Sequence, residues 1–210
     1  MSHIDADRAE ALFDVLTEIV DHPQFDDSQK LALAKTLAIS SLEYGAAVRV
    51  LCQADLLLGA STTLRSQFEA FIRSTWIMHC ANEHQIARLT RELSLESQQA
   101  SKNIPSSNEM LCDLNKVPQL INLCVSLNEF KESSWGPLNS FVHAGIHAVH
   151  WTKNAPPAKL IDTIFRASNG LCVLAYQSLG ILTGRPHTQR EVIAATSCYS
   201  SVLPFPRAST

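Results

Sequence analysis

Two short segments hold residue types that can do chemistry. In the first, Arg65, Glu69 and Arg73 recur at i, i+4 and i+8, so on a helix they form one charged stripe. The rest of that segment is largely apolar, with Leu64, Phe68, Phe71, Ile72 and Trp76. In the second, Asn139, His143, His147 and His150 fall within roughly an 80° sector of a helix. Their neighbours Val142, Ala144, Gly145, Ile146, Ala148 and Val149 are small or apolar. Gly145 inside a helix is unfavourable, which points to a close approach by another helix or a ligand.

An imidazole titrates near neutral pH, so His143 suits general acid/base work. A guanidinium at a fixed helix position holds phosphate in its fork, and Asn139 can orient either partner. Together these groups suit metal-independent cleavage of an RNA phosphodiester. A base would deprotonate the 2′-hydroxyl, which attacks the adjacent phosphorus while arginine offsets the developing charge. His143, His147 and His150 at i, i+4 and i+7 also match metal-ligand spacing, with Glu69 as a carboxylate ligand. A dinuclear carboxylate centre would need Glu-x-x-His pairs on two helices, and this chain has none. The plainer reading of the Arg–Glu–Arg stripe is a solvated helix face; if buried, such a triad must be paired or hold an anion.

The elements that must position these residues are helices. Apolar residues recur every three or four positions almost throughout, which predicts an all-α, antiparallel helical bundle. Ala9 to Val20 reads as a first helix, ending before Pro23. Ser28 caps a long one to about Leu58, with Phe25 as a hydrophobic staple. Gly59 and the cap candidate Ser61 are expected to interrupt it, and a third helix runs to about Ala81. Asn82 to Lys102 is polar and reads as a solvated extension, followed by a loop at Asn103–Asn108. One helix is expected from near Val117 to Glu129, and a second from Ser133–Pro137 to about Thr152, with Pro137 in its first turn. Lys159 to about Thr183 is the last long helix, closed by Gly184 and Pro186. Residues 1–187 make one domain; 188–210, with Pro204 and Pro206, read as a partly ordered tail after one short helix.

Composition bounds the function classes. The chain has 210 residues, 46% hydrophobic, which suits one domain with a sizeable core and excludes wholesale disorder. A formal net charge of −3 advertises no global field for nucleic acid or membranes. Seven glycines argue against a nucleotide fold built on glycine-rich loops. The opening Met1–Arg8 is polar and acidic, unlike a secretory signal, and no apolar run approaches the ~20 residues of a membrane helix. Six cysteines at irregular spacing, without a C-x-x-C pair, read as buried thiols of a cytoplasmic protein.

The stretch Leu64-Arg65-Ser66-Gln67-Phe68-Glu69-Ala70-Phe71-Ile72-Arg73, with Leu138-Asn139-Ser140-Phe141-Val142-His143-Ala144-Gly145 further on, resembles uncharacterised bacterial helical proteins allied to the HEPN superfamily. The resemblance spans roughly Leu31 to Leu182, and its specific part is those two segments. It implies an all-α domain, often dimeric, in a family with many metal-independent ribonucleases of toxin–antitoxin and anti-phage systems. The family signature is an arginine, commonly a polar residue next, then three residues and a histidine. Asn139 and His143 match the polar residue and the histidine, whereas the arginine position is Leu138. Arg65 or Arg73 would have to substitute from the neighbouring helix, or the nuclease activity is lost.

Three readings follow. The first is a HEPN-like binding or regulatory homodimer of a bacterial defence or regulatory system, its Arg, Glu, Asn and His residues forming a polar cluster, with RNA or a protein as partner and no cofactor. The second is a ribonuclease with His143, Asn139, Arg65 and Glu69 as catalytic residues and Arg73 and His147 binding substrate. The third is a small metal enzyme using His143, His147 and His150. Leu138 and the lack of a basic stripe favour the first. Whether Arg65 or Arg73 reaches His143 in an open cleft discriminates among them.

Overall fold

A computed structural model describes residues 4–100 and 104–205. Lys102, Asn103 and the tail positions from Pro206 onward, which carry parts of the expected extension, loop and tail, lie outside the described residues. The chain is an all-α bundle. Helices α1 (Ala6–Val20), α2 (Gln29–Gln53) and α3 (Leu57–His79) are followed by the short α4 (Glu83–Leu89), α5 (Leu95–Ala100) and α6 (Ser107–Leu114). Then come α7 (Ile121–Val142), α8 (Ile146–Lys153), α9 (Ala158–Leu182) and α10 (Thr188–Thr196). No helix among the described residues is long and apolar enough to cross a membrane.

The centre is the α2–α3 hairpin, with α9 laid against α2 and both α6 and α7 against α3. Its core is built from Phe68, Phe71, Ile72 and Trp76 of α3, joined by Phe165 of α9 and Leu12 and Leu16 of α1, all essentially inaccessible to water. Burial of that many large apolar side chains is the main force holding the bundle together.

The hairpin turns at Ala54–Leu56, earlier than Gly59 and Ser61 suggest. Asp55 takes a left-handed conformation (φ 55°) there, which a short polar side chain tolerates, and Leu56 N–H returns to the Leu51 carbonyl at 2.9 Å. Gly59 and Ser61 lie inside α3. A β-carbon at Gly59 would sit 3.2 Å from the Leu51 side chain, so that glycine serves the close approach of the hairpin arms. The polar stretch after Ala81 is not one extension: α4 has a capping box of Asn82 and Gln85, and α6 has another of Ser106 and Glu109.

Two further boundaries differ, and the second decides the fate of the histidines. Helix α7 runs unbroken through Gly136 and Pro137. Phe130 and Trp135 stack on and tilt against Phe68 at 4.5 and 6.0 Å, so packing on α3 outweighs the N–H lost at Pro137. The helix then stops at Val142, with Ala144 left-handed (φ 50°), and α8 starts anew after Gly145. Ser140 organises this break. Its carbonyl accepts the Gly145 N–H at 2.7 Å and its hydroxyl accepts the His147 N–H at 3.0 Å. A β-carbon at Gly145 would lie 2.7 Å from Ser140 Oγ, so the close approach expected there is made by the preceding helix.

The segment after residue 187 belongs to the bundle up to Leu203. Thr188, Val192 and Val202 are buried, Asn169 Nδ2 donates to the Val202 carbonyl at 2.9 Å, and Arg166 Nη1 donates to the Leu203 carbonyl at 3.1 Å. All six cysteines are free thiols. Burial pushes Cys52 up to about 12 and Cys172 up to about 11, whereas Cys112 and Cys198 are exposed, against the expectation of burial.

Candidate functional site

The Arg65–Glu69–Arg73 stripe faces a cleft. Its wall is α3 on one side, the loop Ile104–Ser106 and the first residues of α6 on another, with Leu89 of α4 and Trp135 of α7 completing it. The cleft has a volume of about 490 Å³. Helical spacing puts the three charged residues one turn apart, and Trp135 is brought over them because α7 anchors on Phe68, between Arg65 and Arg73 in the same helix.

Arg65 is fully engaged. Its Nε and Nη2 donate to one carboxylate oxygen of Glu69 at 3.3 and 3.2 Å, and its Nη1 donates to the side-chain oxygen of Asn139. Its guanidinium lies 4.7 Å from the centre of the Trp135 ring, a cation–π contact. Trp135 and Asn139 are themselves one turn apart on α7. Arg65 is therefore the joint between α3 and α7.

Arg73 differs. It is half-buried, its Nε–H is shut off from solvent, and among the described residues it has neither a hydrogen-bond nor an ion-pair partner. The remaining arginines of the long helices α2, α3 and α9 each have a carboxylate. Arg49 holds Glu10 at 2.7 Å, Arg65 holds Glu69 at 3.2 Å, and Arg166 holds Asp162 at 2.8 Å.

The histidines do not join the cleft. His143 is exposed at the C-terminal cap of α7, one turn past Asn139, and does not line the cavity. His147, expected to bind substrate, sits in the first turn of α8 with its ring 6.0 Å from that of Phe141 and its Nδ1 buried without a partner. His150 meets the Trp151 ring edge-on at 4.5 Å. The break at Ala144 puts the three imidazoles on two separate helices. Among the described residues no three His, Cys, Asp or Glu side chains come together closely enough to hold a metal ion. Leu138, at the arginine position of the HEPN signature, is buried at 4% exposure, so a charge there would enter the core.

Of the residues the sequence singles out, the fold brings Arg65, Glu69, Arg73 and Asn139 together and leaves the imidazoles apart. Trp135 and the start of α6 were missed as members. The four-residue spacing of Trp135 and Asn139 was the available signal for the first; a capping box after Pro105 was the signal for the second.

Fold and site define an all-α bundle with a cationic cleft at the meeting of α3, α6 and α7. Residues 38–205 match the sequence profile of a family of unknown function, DUF6988, and the chain belongs to that family. No curated protein and no solved structure matches it.

Proposed function

We propose that the chain is a HEPN-like binding or regulatory protein of a bacterial defence system, acting as a homodimer without catalysis. The observation that carries this reading is the engagement of Arg65: its hydrogen bonds go to Glu69 and Asn139, and His143 stands outside the cleft. The metal-independent ribonuclease weighed above needs an arginine and a histidine converging on one phosphate, with donors aimed where charge develops. Here the arginine and the histidine are divided between a cleft and an exposed helix end. Exposed Val142, Ile146 and Val149 around the α7–α8 break supply an apolar face for the second copy.

Incubation with labelled single-stranded RNA, comparing the native chain with His143→Ala, tests this. Background cleavage by both is expected. Cleavage by the native chain that is lost in His143→Ala would replace this reading with the metal-independent ribonuclease. Light scattering tests the dimer: a mass near twice 23.1 kDa is expected, and a single-chain mass at all concentrations overturns it.

A further inference from the structure

We propose that the cleft between α3 and α6 binds the phosphoryl group of a small phosphomonoester, with Arg73 as its principal ligand. This deepens the reading of the chain as a binding protein and needs neither the HEPN relationship nor a dimer.

The starting point is the unpaired guanidinium. A half-buried charge is expensive to leave without a counter-ion, and each comparable arginine on α2, α3 and α9 has one. Among the described residues Arg73 has none, although Glu69 stands one turn away, because Glu69 is taken by Arg65. With Arg65 and Arg73 against Glu69, the charged lining carries one net positive charge. The missing partner is an anion from outside the chain.

The rest of the lining favours phosphate. Ser107 and Asn108, the first two residues of α6, face the same cleft. The first N–H groups of a helix have no acceptor within it, and they carry the positive end of its dipole. The Glu109 carboxylate of that helix turns to Ser106, whose backbone N–H and hydroxyl donate to it at 2.7 and 2.8 Å, and it does not line the cleft. A tetrahedral dianion can accept from a guanidinium fork and from helix N–H groups at once. Leu89, Ile104 and Pro105 give the remainder of the ligand an apolar rim, and about 490 Å³ holds a molecule of mononucleotide size. A polynucleotide track would need a line of basic residues, and a chain of net charge −3 with a single unpaired arginine here offers one phosphoryl position.

Titration calorimetry with inorganic phosphate, AMP, adenosine and a single-stranded RNA lacking terminal phosphates tests the assignment. AMP and phosphate should bind, AMP more tightly, and adenosine and the RNA should not. Arg73→Gln should weaken AMP binding at least about tenfold, with Arg73→Lys between it and the native chain. Glu69→Gln, which removes the one negative charge of the lining, should tighten binding severalfold. Should Arg73→Gln fail to fold, Asn108→Asp keeps a residue suited to a helix start and should abolish binding by repulsion. No heat with AMP or phosphate up to about 10 mM, unchanged affinity in Arg73→Gln or Asn108→Asp, or RNA binding as tightly as AMP would each overturn the proposal. RNA cleavage by the native chain would remove the non-catalytic reading and leave this site standing.

Discussion

Glu69 lies one helical turn from both Arg65 and Arg73, yet among the described residues its carboxylate accepts from Arg65 and not from Arg73. The sequence presents a symmetrical triad; the fold makes a pair and a free arginine. What breaks the symmetry is α7. Asn139 and the Trp135 ring hold the Arg65 guanidinium from the far side, so Glu69 meets a cation already fixed in position. The exposures of the pair, 19% and 32%, place it between a surface ion pair and a buried one.

Glu69→Ala should therefore lower stability only modestly, by about 1 kcal/mol, because Arg65 keeps Asn139 and Trp135. Urea denaturation checks it. Arg65→Ala should cost more, about 2 kcal/mol, since it removes the joint between two helices as well as the ion pair.

Gly45 of α2 is fixed by packing. A β-carbon there would lie 2.3 Å from Cys172 Sγ and 2.9 Å from Nε2 of the buried Gln67, which is itself tied to Ser168 by bonds of 2.6 and 3.0 Å. Gly45→Ala gains helix propensity but overpacks this junction, for a net loss of about 2 kcal/mol. Adding Cys172→Ala removes the obstructing sulfur, so the double variant should be more stable than Gly45→Ala alone. Thermal unfolding of the three proteins decides it.

Stability should fall on mild acidification through His79 at the end of α3. His79 is exposed, but partial desolvation where it packs at the end of α3, aided by Lys30, holds this imidazole below its ordinary value of 6.5, so folding weakly favours its neutral form. The unfolded chain then binds the proton more readily, and the stability present above pH 6.5 is lost as pH falls toward the folded-state value. The melting temperature should drop between pH 7.5 and pH 5, and His79→Gln should drop less. Equal drops would assign the acid sensitivity to other groups.

Periodicity was enough to read the bundle, its long last helix and the charged stripe of α3, because those features depend on one face of each helix. What depended on tertiary contact was hidden. The hairpin turn at Asp55 carries no glycine or proline to mark it, and Pro137 lies within α7 because Phe130 and Trp135 anchor that helix on Phe68. The histidine stripe assumed a helix through Ala144, where Ser140 instead draws in Gly145 and His147. The hold on the tail is invisible in its own residues because its burial comes from Asn169 and Arg166, over thirty residues away. Arg65 and Asn139 could be listed together from their types, but only the fold shows that they touch and that His143 does not join them.

The proposed recognition site is the Arg65–Arg73 cleft, not the imidazoles of α7 and α8. The most direct measurement is a two-dimensional NMR titration of the native chain with AMP, following backbone amides, the Trp indole N–H groups and the histidine rings. Saturable shifts confined to Ser107, Asn108 and Trp135, with His143, His147 and His150 unmoved, are the predicted result. Shifts centred on those three histidines, with the start of α6 unchanged, would contradict it.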